Sequence, residues 1–322
     1  MEHEQKHIAV LGSTTGTGRL ALDIVSEQPE LFQVEVLTSS SNNELLIEQA
    51  IVFKPNVVVV GDDPNYAEVK DILWDHNIKT YAGSAALSEV VQMSDVHLVL
   101  NALNGEDSIQ PTLASVMAGK AVALAHHDSV VSAGLDLSQL ASQRGANIFP
   151  LSSANGGLFQ CIVGEKHNTI DKVTFTIKDP EDPKNMLNFL LEVLQAKWVF
   201  DLKKEQIDLI HHPEACVLSL VHFEDGTIKT IMGGIQDPKS LLRYAMSFPY
   251  RLSAQEKYIQ PVPFATMNFS PLDGKASSLV EKFKNCLNPT SSIVLGKKLL
   301  GAKARADDDS LSWEQLTFLL TP

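Results

Sequence analysis

A short apolar run near the start of the chain breaks directly into a loop of glycines and hydroxyl residues. The run covers residues 7–11, the loop covers residues 12–18, and a helical pattern follows over residues 19–27. This order places backbone N–H groups and the positive end of a helix where a phosphate can bind. The junction therefore predicts the first unit of a parallel α/β sheet, with a dinucleotide site at the loop. Because the spacing departs from G-x-G-x-x-G, a turn without a ligand stays open as the alternative.

Length and composition limit the class of protein. A chain of 322 residues usually forms two domains, and 44% hydrophobic with 20% charged residues is typical of a globular protein. The formal net charge of −13 argues against nucleic acid or an anionic membrane as the main partner. We expect a small-molecule substrate instead.

The cysteines and the N-terminal residues bear on localisation. The three cysteines lie far apart and form no C-x-x-C motif, which predicts reduced thiols and a cytoplasmic location. The first residues are charged, so we expect no secretory leader. No apolar run is long enough to span a bilayer, and we expect no membrane partner.

The first half of the chain alternates strand and helix patterns, notably helices over residues 44–51 and 108–117. This alternation predicts an α/β fold class, a Rossmann-like doubly wound parallel sheet, over residues 1–150. The expected strands are residues 8–11, 34–37, 57–60, 98–100, 121–124 and 147–149.

The pattern changes after Pro150. We predict an α+β domain with a mostly antiparallel sheet over residues 151–260, including a helix over residues 186–200 and a hairpin turn at residues 224–226. Its expected strands are residues 173–177, 207–210, 217–223 and 227–232. The proline-rich residues 260–263 predict a linker, and residues 261–322 a short helical C-terminal region with helices over 276–286 and 313–320.

Several motifs in order along the chain resemble the 1-deoxy-D-xylulose 5-phosphate reductoisomerase family. They are IAVLGST at residues 8–14, PTLA at 111–114, AKWVF at 196–200, HP at 212–213 and DG at 225–226. The resemblance covers residues 7–270 with one gap. It implies a metal- and NADPH-dependent homodimer that isomerises and reduces a phosphorylated ketose, with a nucleotide domain, a catalytic domain and a C-terminal helical bundle.

The chain departs from the family at the positions that the resemblance assigns to the metal. Ser152 and Ala154 stand where the family has an Asp and a Glu, whereas Glu192 keeps the third carboxylate and Asn188 keeps an Asn. Phe189 replaces a Lys that holds phosphate in the family. Since a hard cation needs several oxygen ligands, we predict no tightly bound metal and loss of the parent reaction.

Two further differences accompany this loss. Residues 161–187 fill the space where the family carries a longer segment with a phosphate loop and a mobile lid, and an acidic connection over residues 179–183 lies within it. The family's Asn-Lys-Glu after the fifth strand is His126-His127-Asp128 here. Histidine can pass a proton near neutral pH. We therefore predict His127 as the catalytic acid.

The other candidate residues follow from the same reasoning. His126, Asp128 and Glu192 complete the predicted catalytic set, although a histidine pair is also compatible with a structural role. The predicted substrate-binding residues are Ser152, Ser153, Asn155, Asn188 and His212, with termination of a strand as the alternative for His212.

The cofactor candidates lie in three loops of the predicted nucleotide domain. They are Gly12, Ser13, Thr14, Thr15, Gly16 and Thr17, then Ser39, Ser40, Ser41 and Asn42, and finally Asn101, Ala102, Leu103 and Asn104. No carboxylate follows the second strand, which favours NADP and leaves NAD open. Asn101 and Asn104 could instead cap the next helix.

These observations predict an NAD(P)-dependent, metal-independent oxidoreductase acting on a small polar carbonyl or alcohol. The first alternative is a catalytically silent paralogue that binds nucleotide and serves a regulatory or scaffold role. The second is an active reductoisomerase with other metal ligands. We expect a homodimer formed through the sheet of the central domain.

Overall fold

The computed structural model describes residues 5–61, 64, 66–165, 167–232, 237–253, 266–306 and 311–320. The described residues form two compact units. The first comprises those within Met1–Ser129, Gln139–Leu151 and Pro238–Ser253, and the second those within Val130–Ser138, Ser152–Asp237 and Ala254–Pro322. The predicted linker at residues 260–263 lies outside the described residues.

The first unit is built on a seven-stranded sheet in which every neighbouring pair is parallel. The strands are β1 Lys6–Leu11, β2 Phe32–Ser39, β3 Val57–Val60, β4 Lys79–Ala82, β5 Leu98–Asn101, β6 Ala121–Leu124 and β7 Ile148–Pro150. Their order in the sheet is β4-β3-β2-β1-β5-β6-β7, so the direction of winding reverses at β1. This topology confirms the predicted Rossmann-like doubly wound sheet.

Helices connect these strands, and they lie on both faces because right-handed crossovers change face where the winding reverses. They are α1 Gly16–Glu27, α2 Asn43–Phe53, α3 Tyr66–Trp74, α4 Ser84–Val90, α5 Ile109–Met117, α6 Asp128–Ala133, α7 Leu135–Arg144 and, later in the chain, α10 Pro238–Ser247. Helices α6 and α7 each contribute residues to both units.

Continuous apolar runs explain the central strands. All four residues of β3 are buried valines, and β1 ends in four buried residues, as expected of strands covered on both faces. On one face, Ala9, Leu11, Val57 and Val59 share a core cluster with Val90 from α4. The sequence pattern does not predict strand β4, because β4 is an edge strand in which only one of four residues is buried.

The second unit contains a five-stranded sheet in the order β11-β10-β8-β9-β12. The strands are β8 Ile170–Ile177, β9 Ile207–His211, β10 Ser219–Phe223, β11 Ile228–Lys229 and β12 Ser270–Pro271. Only the β8–β9 pair is parallel, so the predicted mostly antiparallel sheet is confirmed. The two strands expected over residues 217–223 and 227–232 are shorter than predicted. Val217 and Met232 form only an isolated bridge.

Five helices complete the described part of the second unit. They are α8 Ser153–Ile162, α9 Pro183–Val199, α11 Gly274–Asn285, α12 Pro289–Ala306 and α13 Trp313–Leu319. The acidic connection forms a turn, and the Asp182 side chain caps α9 by accepting the Lys184 N–H at 3.0 Å. The sequence pattern does not predict helix α12. It packs on α9 through Gly296, where a Cβ would overlap a methyl group of Val131 and lie 3.2 Å from Leu194.

Among the described residues, no helix combines the length and the apolar character that a membrane-spanning segment needs.

Candidate functional site

The carboxyl ends of β2, β1 and β5, which are neighbours in the sheet, bring the predicted cofactor loops of the first unit to one edge of the sheet. Leu11, Asn101 and Leu124 lie in register across β1, β5 and β6. Gly12 follows β1 with a φ of +73°, and a Cβ there would lie 3.0 Å from the carbonyl oxygen of Ala102. A glycine is therefore required where the loop after β1 passes the loop after β5.

Buried hydrogen bonds hold the glycine loop against β2 and α2. The Ser13 hydroxyl is fully buried and donates to Gln49 Oε1 at 2.7 Å, while Gln49 Nε2 donates to the Ser13 carbonyl at 3.0 Å. The Gly12 N–H donates to Thr38 Oγ1 at 2.9 Å. These groups have internal partners, so Ser13 shapes the loop through its side chain rather than presenting it to a ligand.

The first turn of α1 is the open part of this loop. The Thr15 hydroxyl donates to the Gly12 carbonyl at 2.8 Å and accepts the Gly18 N–H at 3.2 Å, which caps the helix. Gly18 is packed so tightly that a Cβ would overlap the Gly12 carbonyl oxygen. Gly16, in contrast, is exposed with nothing within 4 Å of a Cβ, and Thr17 is half-buried. A phosphate can approach the helix N-terminus on this side.

The loop after β2 divides into bracing and exposed residues. Ser39 is buried, and its hydroxyl shares a hydrogen bond of 2.9 Å with Thr14 and accepts the Asn42 N–H at 3.1 Å. Asn42 in turn caps α2 by accepting the Leu45 N–H at 3.1 Å. Ser40 and Ser41 are exposed beside them.

The loop after β5 is shaped by Asn101. Its Nδ2 donates to the Ser108 carbonyl at 2.9 Å and to Thr112 Oγ1 at 2.8 Å, and its Oδ1 accepts the Leu103 N–H at 3.1 Å. These bonds brace the loop and are not a helix cap, since no side-chain bond caps the turn that begins after Asn104. Ala102 is buried, whereas Asn104 is exposed at the start of a 3₁₀ turn.

The histidine pair lies directly after β6, at the same edge of the sheet as the glycine loop. His126, His127 and Asp128 are all half-buried. Asp128 begins α6, and its carboxylate accepts the Gly105 N–H at 2.7 Å, which ties the loop after β6 to the loop after β5. Orientation of an imidazole by Asp128 stays a prediction.

The predicted substrate and metal region belongs to the second unit and combines buried residues with partly exposed ones. Ser152 is the N-cap residue of α8, and Ser153 begins that helix. Asn155 is fully buried, and its Nδ2 donates to the Glu192 carbonyl at 3.0 Å and to Gln195 Oε1 at 2.8 Å. These bonds join α8 to α9.

Glu192 has the most perturbed carboxyl group of this region. Burial raises its pKa to about 7, while the polar side chain of Ser152 and the positive charge of Lys303 act in the opposite direction. Lys303 lies in the last turn of α12. The sequence analysis does not place Lys303 in this region, because it does not predict the helix that carries it.

The donor set at these positions does not fit a hard divalent cation. Ala154 is buried and offers no side-chain ligand, Ser152 offers a neutral hydroxyl, and Glu192 is the one carboxylate of the three family positions. One turn before Glu192, Asn188 is exposed and Phe189 is buried. Within the ranges that the structure describes, no three His, Cys, Asp or Glu side chains gather as a metal site.

His212 lies just beyond the end of β9 and is fully buried. Its Nδ1 lies 2.8 Å from the Asn268 carbonyl and 3.1 Å from Glu214 Oε2, and its Nε2 lies 3.2 Å from Cys216 Sγ. Both ring nitrogens have protein partners, which supports an internal role over substrate binding.

Comparison with known proteins places the chain among one group of enzymes. A family model described as 1-deoxy-D-xylulose 5-phosphate reductoisomerase matches residues 8–134. A protein of that name from Bacteroides fragilis is 36% identical over 284 residues, covering 79% of this chain and 73% of the relative. One from Bacteroides thetaiotaomicron is 34% identical over 305 residues, covering 85% and 78%.

Solved structures share the fold. The 1-deoxy-D-xylulose 5-phosphate reductoisomerase of Zymomonas mobilis in complex with NADPH matches with a TM-score of 0.82 and 20% identity, covering 98% of this chain and 96% of its own. A reductoisomerase in complex with NADPH, fosmidomycin and magnesium matches with a TM-score of 0.74 and 23% identity, covering 98% and 95%.

Proposed function

The chain belongs to the 1-deoxy-D-xylulose 5-phosphate reductoisomerase family, and from this premise we propose that it is an NAD(P)-dependent oxidoreductase that works without a metal. Its substrate is a small polar carbonyl compound or alcohol. The observation that carries the proposal is the contrast within the glycine loop. Ser13, Thr15 and Gly18 are locked in place, whereas the first turn of α1 at Gly16 is open to an anion.

The cofactor in this proposal is NADP, with NAD as the alternative. The pyrophosphate binds at Gly16 and Thr17, and the exposed Ser40 and Ser41 face the ribose of the adenine half. No carboxylate follows β2 to select the free ribose hydroxyls of NAD. Two reductoisomerases of similar fold were solved in complex with NADPH, which supports the same choice.

His127 is the proposed proton donor. A bound nicotinamide would supply hydride to a carbonyl carbon, and the oxygen of that carbonyl would then need a proton. His127 stands where the family resemblance has a Lys, at the sheet edge that also holds the glycine loop. An imidazole can deliver this proton near neutral pH. His126 and Asp128 support it from the same turn.

The second unit supplies the proposed substrate contacts. The exposed Asn188 is the most accessible of the predicted substrate residues, and Ser152 and Ser153 lie at the N-terminus of α8. Glu192 is a second acid, because a pKa of about 7 leaves part of its population protonated at neutral pH. Asn155 and His212 position these elements rather than touch substrate.

A silent nucleotide-binding paralogue is the competing candidate. One observation favours it: the described part of the connection over residues 161–187 consists of the end of α8, a short loop, strand β8, a turn and the start of α9. No other segment of that stretch, within the described residues, is available to act as a lid over a substrate. Cofactor binding alone is compatible with both candidates, so turnover must separate them.

We also propose a homodimer through the sheet of the second unit. The two-residue strand β11 is an edge of that sheet, and Ile228 and Met232 beside it are 53% and 38% exposed. An edge with apolar side chains favours symmetric pairing. Light scattering is expected to give twice the chain mass of 35.2 kDa, and Ile228→Lys is expected to lower it.

The test of the proposed function has two stages. Calorimetry with NADPH and NADH is expected to show micromolar binding that Gly16→Asp weakens about 10- to 100-fold, since a carboxylate would repel the pyrophosphate. Gly16→Ala is the matched control, because a methyl group fits there. A screen of small aldehydes, ketones and hydroxy acids by NADPH absorbance then identifies turnover. Binding without any turnover would favour the silent paralogue, and absence of both would refute the proposal.

A further inference from the structure

The turn between β9 and β10 brings a thiol, an imidazole and a carboxylate into one chain of contacts. Cys216 Sγ lies 3.2 Å from His212 Nε2, and His212 Nδ1 lies 3.1 Å from Glu214 Oε2. The Ala215 N–H bonds to the His212 carbonyl at 3.1 Å, and this tight turn, with a φ of +50° at Ala215, brings Cys216 back to the ring. None of these contacts involves the cofactor loops or Glu192.

The surroundings of His212 fix which ring nitrogen carries the hydrogen. Nδ1 faces two acceptors, the carbonyl of Asn268 at 2.8 Å and the carboxylate of Glu214. Nδ1 must therefore be the donor, and the lone pair of Nε2 in the neutral ring points at the Cys216 thiol. The ring is fully buried and stacks on Phe269, with centroids 4.4 Å apart, so it is held in this orientation.

Glu214 is arranged to stabilise a positive imidazole. Its carboxylate accepts the Asn268 side-chain amide at 2.6 Å and the Asn268 N–H at 3.1 Å, and these bonds lower the pKa of Glu214. An ionised carboxylate at Nδ1 favours proton transfer to Nε2. A nucleophile, a base within hydrogen-bond reach and a group that orients the base are the three parts of an activated thiol.

We propose that Cys216 is a reactive thiol whose substrate class is small hydroperoxides, with His212 as its base and Glu214 as the positioning residue. His212 Nε2 takes the thiol proton, and the sulfur attacks one oxygen of hydrogen peroxide. The S–O bond forms as the O–O bond breaks, and the leaving hydroxide takes the proton from Nε2 as water. The sulfur loses two electrons to the peroxide and becomes a sulfenic acid. Cys216 is only 8% exposed, which restricts the proposed substrate to a small oxidant.

The two other cysteines of the chain, Cys161 and Cys286, serve as internal controls for the reactivity of Cys216. Burial raises the pKa of Cys161 to about 11, so that thiol stays protonated at neutral pH. Cys286 is more exposed than Cys216, but its Sγ donates to the Leu320 carbonyl at 3.4 Å instead of facing a base. Exposure alone therefore predicts that Cys286 reacts first, whereas activation predicts Cys216.

The experiment treats the intact folded chain at neutral pH with hydrogen peroxide and traps sulfenic acid with dimedone, followed by peptide mass spectrometry. Cys216 is expected to be labelled at least about tenfold faster than Cys161 or Cys286. His212→Gln is expected to remove most of this advantage. Because His212 is buried, Glu214→Gln serves as the second variant. It keeps the shape of the side chain and is expected to slow Cys216 labelling while circular dichroism and the melting temperature stay close to wild type.

Several results would overturn the proposal. One is labelling of Cys286 ahead of Cys216. Another is a Cys216 rate that is unchanged in a folded Glu214→Gln or His212→Gln protein. A third is labelling of Cys216 only after urea unfolds the chain. None of these readouts depends on NADPH or on turnover, so they stand apart from the proposed function.

Discussion

The glycine loop of the first unit and the Ser152–Glu192 region of the second unit differ in what their polar groups leave open to a ligand. In the loop, Ser13 and Thr15 are bonded internally while the helix N-terminus at Gly16 stays open. In the second unit, the Asn155 side chain is bonded between two helices, and the half-buried Glu192 has its pKa raised to about 7. In the function proposed above, the cofactor loop keeps an open helix N-terminus, while two of the three positions that the resemblance assigns to the metal have no carboxylate.

The largest expected effect concerns the reaction of the family. We expect no turnover of 1-deoxy-D-xylulose 5-phosphate with NADPH and either Mg²⁺ or Mn²⁺. Ser152 and Ala154 replace two carboxylates, and Glu192 alone cannot hold the cation. NADPH absorbance, with the Bacteroides fragilis relative assayed in parallel, is the measurement. Metal-dependent oxidation of NADPH above background would show that the second unit still works as in the family.

The next effect belongs to His127. With a carbonyl substrate found by screening, His127→Ala is expected to lower turnover by about 10²–10⁴, the usual contribution of a positioned acid. NADPH affinity should stay close to wild type, and His126→Ala should cost less. If His127→Ala keeps full turnover, proton transfer belongs to the second unit and Glu192→Gln becomes the variant to assay.

A glycine pair tests whether the loop is as rigid as its contacts indicate. Gly18→Ala is expected to destabilise the fold by about 2–4 kcal/mol, because its Cβ would overlap the Gly12 carbonyl oxygen. Gly16→Ala, two residues earlier with open space around it, is expected to change stability by less than about 1 kcal/mol. Urea unfolding measures both. Equal effects of the two substitutions would contradict the rigid loop.

Glu192 gives the smallest of the expected effects, a pH dependence of stability. Its pKa rises from 4.5 to about 7 on folding, so the folded state binds more protons between these values and stability falls as pH rises through this window. Glu192→Gln should remove about 2–3 kcal/mol of that fall. Urea unfolding of both proteins near pH 5 and pH 8 measures it. Parallel curves would mean that the carboxyl group is hydrated in the folded state.

The sequence predicted the parallel sheet because its strands are continuous apolar runs, such as the four valines of β3. It did not predict β4, whose pattern is that of an exposed edge, or α12, whose Gly296 is explained only by its packing against Val131 and Leu194. These two elements depend on tertiary packing, which local periodicity does not contain.

The candidate site was predictable to the level of loops but not of single residues. Residue type alone did not separate Ser39, which braces the loop, from Ser40, which is exposed. That distinction depends on a bond to Thr14, 25 residues away in sequence. Residue type also did not show how the Asn101 side chain is used. Its amide donates to the Ser108 carbonyl and accepts the Leu103 N–H.

The central claim is that the first unit holds a nicotinamide cofactor while the second unit has lost the metal site of the family. The most direct measurement is a calorimetric titration of NADPH into the metal-free chain, followed by Mn²⁺ into the complex. The account predicts saturable micromolar NADPH binding in the presence of a chelator and no saturable Mn²⁺ binding below about millimolar concentration. Tight binding of Mn²⁺, or NADPH binding that requires it, would contradict the account.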